Sequence, residues 1–66
     1  MIKTSDLIKG NEYYFFFQKY FCAGFVSKTE DNKLHIRNGG FLYYNEMFRF
    51  DEATLDIKCI IGFANT

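Results

Sequence analysis

Apolar and polar residues alternate along much of this chain, and the segment KLHIR at 33–37 shows the pattern most cleanly. Leu34 and Ile36 fall on one face of an extended chain there, whereas Lys33, His35 and Arg37 fall on the other. Alternation of this kind predicts a strand that buries one face. The same reasoning predicts further strands over residues 12–21, 22–29, 41–50 and 55–63. The sequence therefore predicts a mostly β chain of about five strands.

The segments between the predicted strands carry residues typical of turns and of a short helix. TSDLIKG at 4–10 is predicted to be a short helical turn that Thr4 or Ser5 caps and Gly10 ends. NGG at 38–40 is predicted to be a type I′ hairpin turn, because Asn-Gly readily adopts positive φ. TEDNK at 29–33 is predicted to be a polar turn, and DEAT at 51–54 to interrupt the pattern.

The first predicted strand is aromatic on both faces, which one buried face alone does not explain. NEYYFFFQKYF at 11–21 places Tyr13, Phe15, Phe17 and Phe21 on one face and Tyr14, Phe16 and Tyr20 on the other. Three hypotheses account for the second face: a subunit interface, a second core layer beneath the N-terminal helix, or a stacking platform for bases. We expect Tyr14, Phe16 and Tyr20 to form an interface.

The length of the chain favours a single domain that associates with itself. Sixty-six residues make one domain, residues 1–66, and a domain of this size buries only about 60% of its unfolded surface. Small domains compensate with disulfides, metals or oligomerisation. The two cysteines, Cys22 and Cys59, lie in apolar runs and are expected to be free, buried thiols. Homo-oligomerisation is therefore the expected source of additional stability.

The order of the predicted elements, with a glycine inside the second strand, resembles the small SH3-like and Sm-like barrels. Gly24-Phe25-Val26 followed by Asp31 is similar to the strand-two signature of Sm-like proteins, and the resemblance spans residues 4–64. It implies a short N-terminal helix (4–10) followed by a five-stranded, strongly bent antiparallel barrel (11–64) that forms rings through edge strands. The family's RNA-contacting residues are not carried over, because the base-contacting asparagine of the family falls near His35.

Candidate ligand-binding residues lie on and after the third predicted strand. Two cations and an imidazole on one face suit phosphate, a glycine-rich turn offers backbone amides, and a tyrosine beyond the turn can stack on a base. The alternative interpretation is an ordinary solvated strand face followed by a hairpin. The candidate set is Lys33, His35, Arg37, Asn38, Gly39, Tyr43 and Tyr44.

These features favour a binding protein without catalytic activity. The leading hypothesis is an oligomer that sequesters a small nucleotide-type or anionic signalling ligand, of the kind that phages use against host defences. One alternative is a protein-interaction module that blocks a partner protein. Another is an Sm-like single-stranded RNA binder, which we rank lower because the formal net charge is zero and nucleic-acid binders are usually basic.

Several classes of protein find no support in the sequence. The acidic pairs Glu30-Asp31 and Asp51-Glu52 point to opposite sides of the chain and lie in predicted turns, so no acid/base dyad is expected. Two cysteines and one histidine lack the spacing of a metal site, and no cofactor is expected. The N-terminus lacks the apolar core of a signal peptide and no apolar run could span a bilayer. We expect a cytoplasmic protein, in the host cytoplasm if a phage encodes it, with no membrane partner.

Overall fold

Five antiparallel strands form one sheet in the computed structural model, which describes residues 2–66. Two 3₁₀ turns, Thr4–Asp6 and Ile57–Cys59, precede the first strand and the last strand respectively. The strands are paired in the order β4-β3-β2-β1-β5, so β4 and β5 lie at the two edges. The strands are β1 (Glu12–Phe16), β2 (Tyr20–Glu30), β3 (Lys33–Tyr43), β4 (Glu46–Asp56) and β5 (Gly62–Asn65).

The core lies on one face of this bent sheet. Phe15, Leu34 and Ile36 are among its most deeply buried side chains. Leu7, which follows the first 3₁₀ turn, is buried in the core, while Ile8 beside it is 61% exposed. The buried hydroxyl of Tyr13 accepts a hydrogen bond of 2.9 Å from the Ile8 amide, and this contact fastens the N-terminal segment to the sheet.

The middle of the sheet bends where glycines bring β2 and β3 unusually close. The β2–β3 register shifts between Ala23 and Phe25, and Asn38 lies opposite this shift with a φ of 50°. A Cβ on Gly39 would lie 1.9 Å from the Ala23 carbonyl oxygen, so only glycine fits. A Cβ on Gly24 would approach Ile36 to 3.0 Å. Gly24, which the sequence places inside the second predicted strand, thus lies at the shift in register.

The prediction of a hairpin turn at NGG, residues 38–40, is wrong. These residues lie inside β3, where positive φ at Asn38 forms a bulge rather than a reversal. The chain reverses at Tyr44–Asn45 instead, with a φ of 53° at Tyr44. The turn predicted around Asp31 and Asn32 is confirmed.

Other element boundaries also differ from the predicted ones. The prediction of an N-terminal helix is wrong. Only the three-residue 3₁₀ turn forms, and its N-cap side chain makes no capping hydrogen bond. A segment this short cannot offset the cost of helix nucleation. DEAT at 51–54 continues β4 instead of interrupting it. The final strand begins at Gly62, because residues 57–59 form the second 3₁₀ turn.

No described helix is long and apolar enough to cross a membrane.

Candidate functional site

The predicted cationic face of β3 exists, but the neighbouring strand carries side chains that complement it. Lys33 pairs in register with Asp56, His35 with Thr54, and Arg37 with Glu52. The Lys33 ammonium lies 3.9 Å from an Asp56 carboxylate oxygen. Opposite charges that face each other across strands stabilise a sheet modestly. The arrangement therefore partly neutralises the positive face that a phosphate would need.

His35 is held by two polar side chains on the strands that flank it. Its Nε2 lies 2.9 Å from a Glu30 carboxylate oxygen on β2, and its Nδ1 lies 3.2 Å from the Thr54 hydroxyl on β4. Lys28 approaches the same Glu30 oxygen at 3.8 Å. Both ring nitrogens of His35 thus already have partners within the protein, and the ring links three strands.

The remaining predicted ligand residues lie apart from these cations. Asn38 and Gly39 occupy the bulge in the middle of β3, whereas Tyr43 ends the strand and Tyr44 lies in the turn that follows. The two tyrosine rings contact each other edge-to-face, with centroids 4.5 Å apart, and Tyr44 is 73% exposed. The structure therefore distributes the seven candidate residues along the whole length of β3 and does not assemble them into one site.

The predicted outer aromatic face is also composed differently from the prediction. Tyr14 and Phe16 do face outward on β1 and are 40% and 38% exposed. Phe21 joins them there, with ring centroids 6.2 Å from each. Tyr20 lies on the opposite face, where it stacks on Phe17 at 4.5 Å. The chain connection at residues 17–19 separates β1 from β2, so the alternation of faces does not continue from one strand into the next. Phe21 therefore lies on the outer face, where Tyr20 was predicted.

Burial changes the ionisation of two groups beneath this aromatic region. It raises the pKa of the Cys22 thiol to about 11. It also raises the pKa of the Tyr20 hydroxyl, with a smaller contribution from the nearby Cys22 and Cys59 thiols. Both cysteines are free, but Cys59 is exposed rather than buried as predicted, because the second 3₁₀ turn rotates it outward.

A cleft of about 260 Å³ crosses the outer face of the sheet. Its floor contains Ala23 and Gly40, which are paired across β2 and β3. The row of side chains that contains them runs across the sheet from Arg49 on β4 to Tyr14 on β1. The cleft is lined by Glu12, Tyr14, Phe21, Ala23, Asn38, Gly39, Gly40, Leu42, Met47 and Arg49.

The cleft exists because small residues separate larger ones within the sheet. The next row across the outer face consists of Met47, Leu42, Phe21 and Phe16, which are paired in register from β4 to β1. Met47, Leu42 and Phe21 of this row form one wall beside the low floor. Among residues 2–66, Arg49 forms no ion pair with a carboxylate. The cleft thus combines aromatic and apolar walls with a guanidinium that lacks an ionic partner.

Three residues of this cleft were predicted as functional from the sequence, Asn38 and Gly39 as ligand-binding residues and Tyr14 as an interface residue, but Arg49 was missed. Arg49 lies in MFRF, which alternates as a strand should. Its position beside Gly40, however, follows from the β3–β4 register. That register depends on the turn at Tyr44–Asn45. The sequence analysis predicted the reversal at residues 38–40 instead. No cluster of three or more His, Cys, Asp or Glu residues that could hold a metal occurs within residues 2–66.

No protein-family model matches the chain, and no curated protein matches it in sequence. Solved structures do match its fold. A Pyrococcus abyssii Sm protein in complex with a uridine heptamer has 6% identity and a TM-score of 0.76, with 88% of this chain and 86% of that chain covered. The P. aerophilum Sm protein heptamer has 8% identity and a TM-score of 0.76, with 100% and 97% covered.

A further solved structure places the same fold in a different kind of assembly. A chain of the NatC complex bound to CoA has 10% identity and a TM-score of 0.78, with 100% of this chain and 87% of that chain covered. At such low identities the likeness concerns the fold alone. The five-stranded antiparallel sheet of this chain therefore has the Sm-like fold, as the sequence resemblance implied.

Proposed function

We propose that this chain is a self-associating Sm-like protein that binds single-stranded RNA. The observation that carries the proposal is the Sm-like fold, in which the edge strands β4 and β5 each lack a partner on one side within residues 2–66. Two structural neighbours support it directly by what they contain: one is an Sm protein in complex with a uridine heptamer and another is an Sm heptamer. The proposal favours RNA over the small signalling ligand that the sequence suggested first.

The edges of the sheet support self-association. β4 is eleven residues long and β5 is four, and neither has a partner on its outer side within residues 2–66. Unpaired amides and carbonyls at a sheet edge readily pair with another chain. Pairing β4 of one copy with β5 of the next is a heterologous contact, which closes into a ring if the rotation between copies permits. Association also adds buried surface to a chain too short to bury much alone.

The outer face of the sheet supports binding to unpaired bases. The rings of Tyr14 and Phe16 are partly exposed there beside Phe21. Bases stack on such rings regardless of sequence, and each stacked base contributes roughly 1–3 kcal/mol. The phosphate site predicted on β3 receives less support, because Lys33 and His35 already face Asp56 and Glu30.

We also propose that the protein does not catalyse a reaction. Two of its potential catalytic groups are poorly disposed for chemistry. The raised pKa of Cys22 keeps that thiol protonated near neutral pH, and a thiol reacts as a nucleophile only when it is ionised. The ring nitrogens of His35, the single histidine, are within hydrogen-bonding distance of Glu30 and Thr54.

The proposal is tested by fluorescence anisotropy with a 5′-labelled uridine heptamer. We expect binding that weakens with added salt, with a slope in log–log form of about −0.7 for each phosphate contacted. A Tyr14→Ala/Phe16→Ala variant should bind at least about fivefold more weakly, since one or two stacked bases are lost. Ile8→Ala, which removes an exposed apolar side chain from the segment before β1, is the matched control. Absence of binding at low salt would refute the proposal.

A protein-interaction module is the second candidate, because exposed apolar side chains extend beyond the outer aromatic face. Met47 is 64% exposed and Ile61 is 72% exposed, and large contiguous apolar patches mark interaction sites. The neighbour in the NatC complex shows the fold inside a protein assembly. A purified protein that stays monomeric and binds no RNA would favour this candidate over the first.

A further inference from the structure

We propose that the cleft on the outer face binds a single nucleotide unit, with the base in the corner formed by Tyr14 and Phe21 and the phosphate at Arg49. The inference rests on the proposed function for its polymeric ligand, because a nucleotide unit can come from an RNA strand or from a free nucleotide. Both sources present the same chemistry, a planar ring joined to an anion. The experiment below separates them.

The size and shape of the cleft suit one base. Its volume is about 260 Å³, just under the roughly 300–1,000 Å³ of pockets that enclose drug-sized ligands. The rings of Tyr14 and Phe21 meet edge-to-face, at 77° and 6.2 Å between centroids. This arrangement forms an aromatic corner beside the low floor of Ala23 and Gly40. A flat ring that lies on this floor contacts one aromatic side chain by its face and the other by its edge.

The charge of the cleft suits an anion at its β4 end. Within residues 2–66, Arg49 has no carboxylate within the ion-pair distance of 4.0 Å, although Asp51 borders an adjoining depression. A guanidinium binds phosphate through two parallel hydrogen bonds, which an ammonium cannot reproduce. The other charged residue of the lining is Glu12, on β1.

The two charges are well separated across the sheet. β1 and β4 are three strand spacings apart, which is about 14 Å between their backbones. The carboxylate of Glu12 therefore leaves the Arg49 end positive, and it can accept a hydrogen bond from an N–H group of the base. The side-chain amide of Asn38 adds a neutral donor to the wall of the cleft.

The test uses calorimetric titration of the purified protein with uridine monophosphate and adenosine monophosphate. The nucleosides and inorganic phosphate are titrated separately. Anisotropy with the labelled uridine heptamer is measured on the same samples. We expect at least one nucleotide to bind more tightly than both its nucleoside and inorganic phosphate, since the cleft contacts both parts. In NMR spectra, the amides of Ala23 and Gly40 should shift on titration while those of the Asp31–Asn32 turn do not.

Two variants and their controls locate the site. Ala23→Leu fills the floor, and Ala64→Leu adds the same side chain in the same row but beyond Tyr14, outside the cleft. Arg49→Gln removes the guanidinium, and Lys19→Gln removes an exposed charge from the β1–β2 connection. We expect Ala23→Leu to weaken nucleotide binding by about 5- to 150-fold, the range for one stacked base. Arg49→Gln should abolish the preference for nucleotide over nucleoside. Both controls should bind like the unmodified protein.

The outcomes separate this inference from the proposed function. If the heptamer binds and Ala23→Leu binds it as tightly as Ala64→Leu does, the cleft is not the site and the proposed function stands. If mononucleotides bind in the cleft but the heptamer does not bind, the cleft is a nucleotide site and the proposed RNA function fails. If no nucleotide binds the unmodified protein, or the shifted amides lie elsewhere, the inference is overturned. This result does not depend on whether the Ala23→Leu variant folds.

Discussion

Gly39 is the position at which the fold should be most sensitive to a single added methyl group. A Cβ there would lie 1.9 Å from the Ala23 carbonyl oxygen and 2.9 Å from the carbonyl carbon, whereas ordinary contact begins near 3.4 Å. Both of these atoms belong to the backbone of β2. Relief of the overlap therefore requires that β2 and β3 separate, because no side chain can turn away.

The expected cost of Gly39→Ala follows from this geometry. Overpacking a core costs about 1–3 kcal/mol, and each ladder hydrogen bond lost as the strands separate costs about 0.5–1.5 kcal/mol net. With two such bonds lost, we expect the free energy of unfolding to fall by about 2–6 kcal/mol. A core of this size rarely supplies more than about 3–5 kcal/mol. The variant should therefore be largely unfolded unless association restores it.

The assay is urea unfolding followed by far-UV circular dichroism at several protein concentrations. Gly62→Ala is the matched control, because the nearest atom to its added Cβ is a Phe16 ring carbon at 3.9 Å. We expect Gly62→Ala to shift the unfolding midpoint little and Gly39→Ala to lower it severely. A Gly39→Ala protein that unfolds at the same urea concentration as Gly62→Ala would refute the close approach of β2 and β3.

Four further predictions concern other parts of the molecule. Tyr13→Phe removes the acceptor of the Ile8 amide hydrogen bond and should cost about 1 kcal/mol in urea unfolding, with faster hydrogen exchange at Ile8. Burial raises the pKa of Cys22 from 9.0 to about 11, so below pH 9 its folded thiol should resist alkylation while Cys59 reacts. Because the unfolded thiol ionises first as pH rises from 9.0 to about 11, the free energy of unfolding should decrease there, and Cys22→Ala should remove that part of the decrease. Ile61→Ser, at an exposed position preceding the edge strand β5, should lower the oligomer mass measured by light scattering without changing the monomer's circular dichroism spectrum.

The class of the fold was predictable because alternation records which residues face the core. Leu34 and Ile36 are buried as their spacing predicts, and Gly24 lies where the second strand bends. The error at residues 38–40 has a physical cause, since Asn-Gly supports positive φ in a hairpin turn and in a strand bulge alike. Only the packing of β3 against β2 and β4 decides between the two.

The candidate site was harder to predict because it depends on register rather than on local pattern. Tyr20 and Phe21 exchange faces through one short connection after Phe16, which alternation within a strand cannot reveal. Arg49 reaches the cleft through its pairing with Gly40, and that pairing involves residues nine positions apart in the sequence. The carboxylate opposite Lys33 likewise comes from a distant part of the chain, since Asp56 lies at the end of β4.

Native mass spectrometry of the purified protein, with and without a uridine heptamer, tests the central claim most directly. The account predicts one defined oligomer and, after addition of the heptamer, the same oligomer with a mass increase equal to whole RNA molecules. A monomer at micromolar concentration that acquires no RNA would contradict both self-association through the open edges and the proposed binding of RNA.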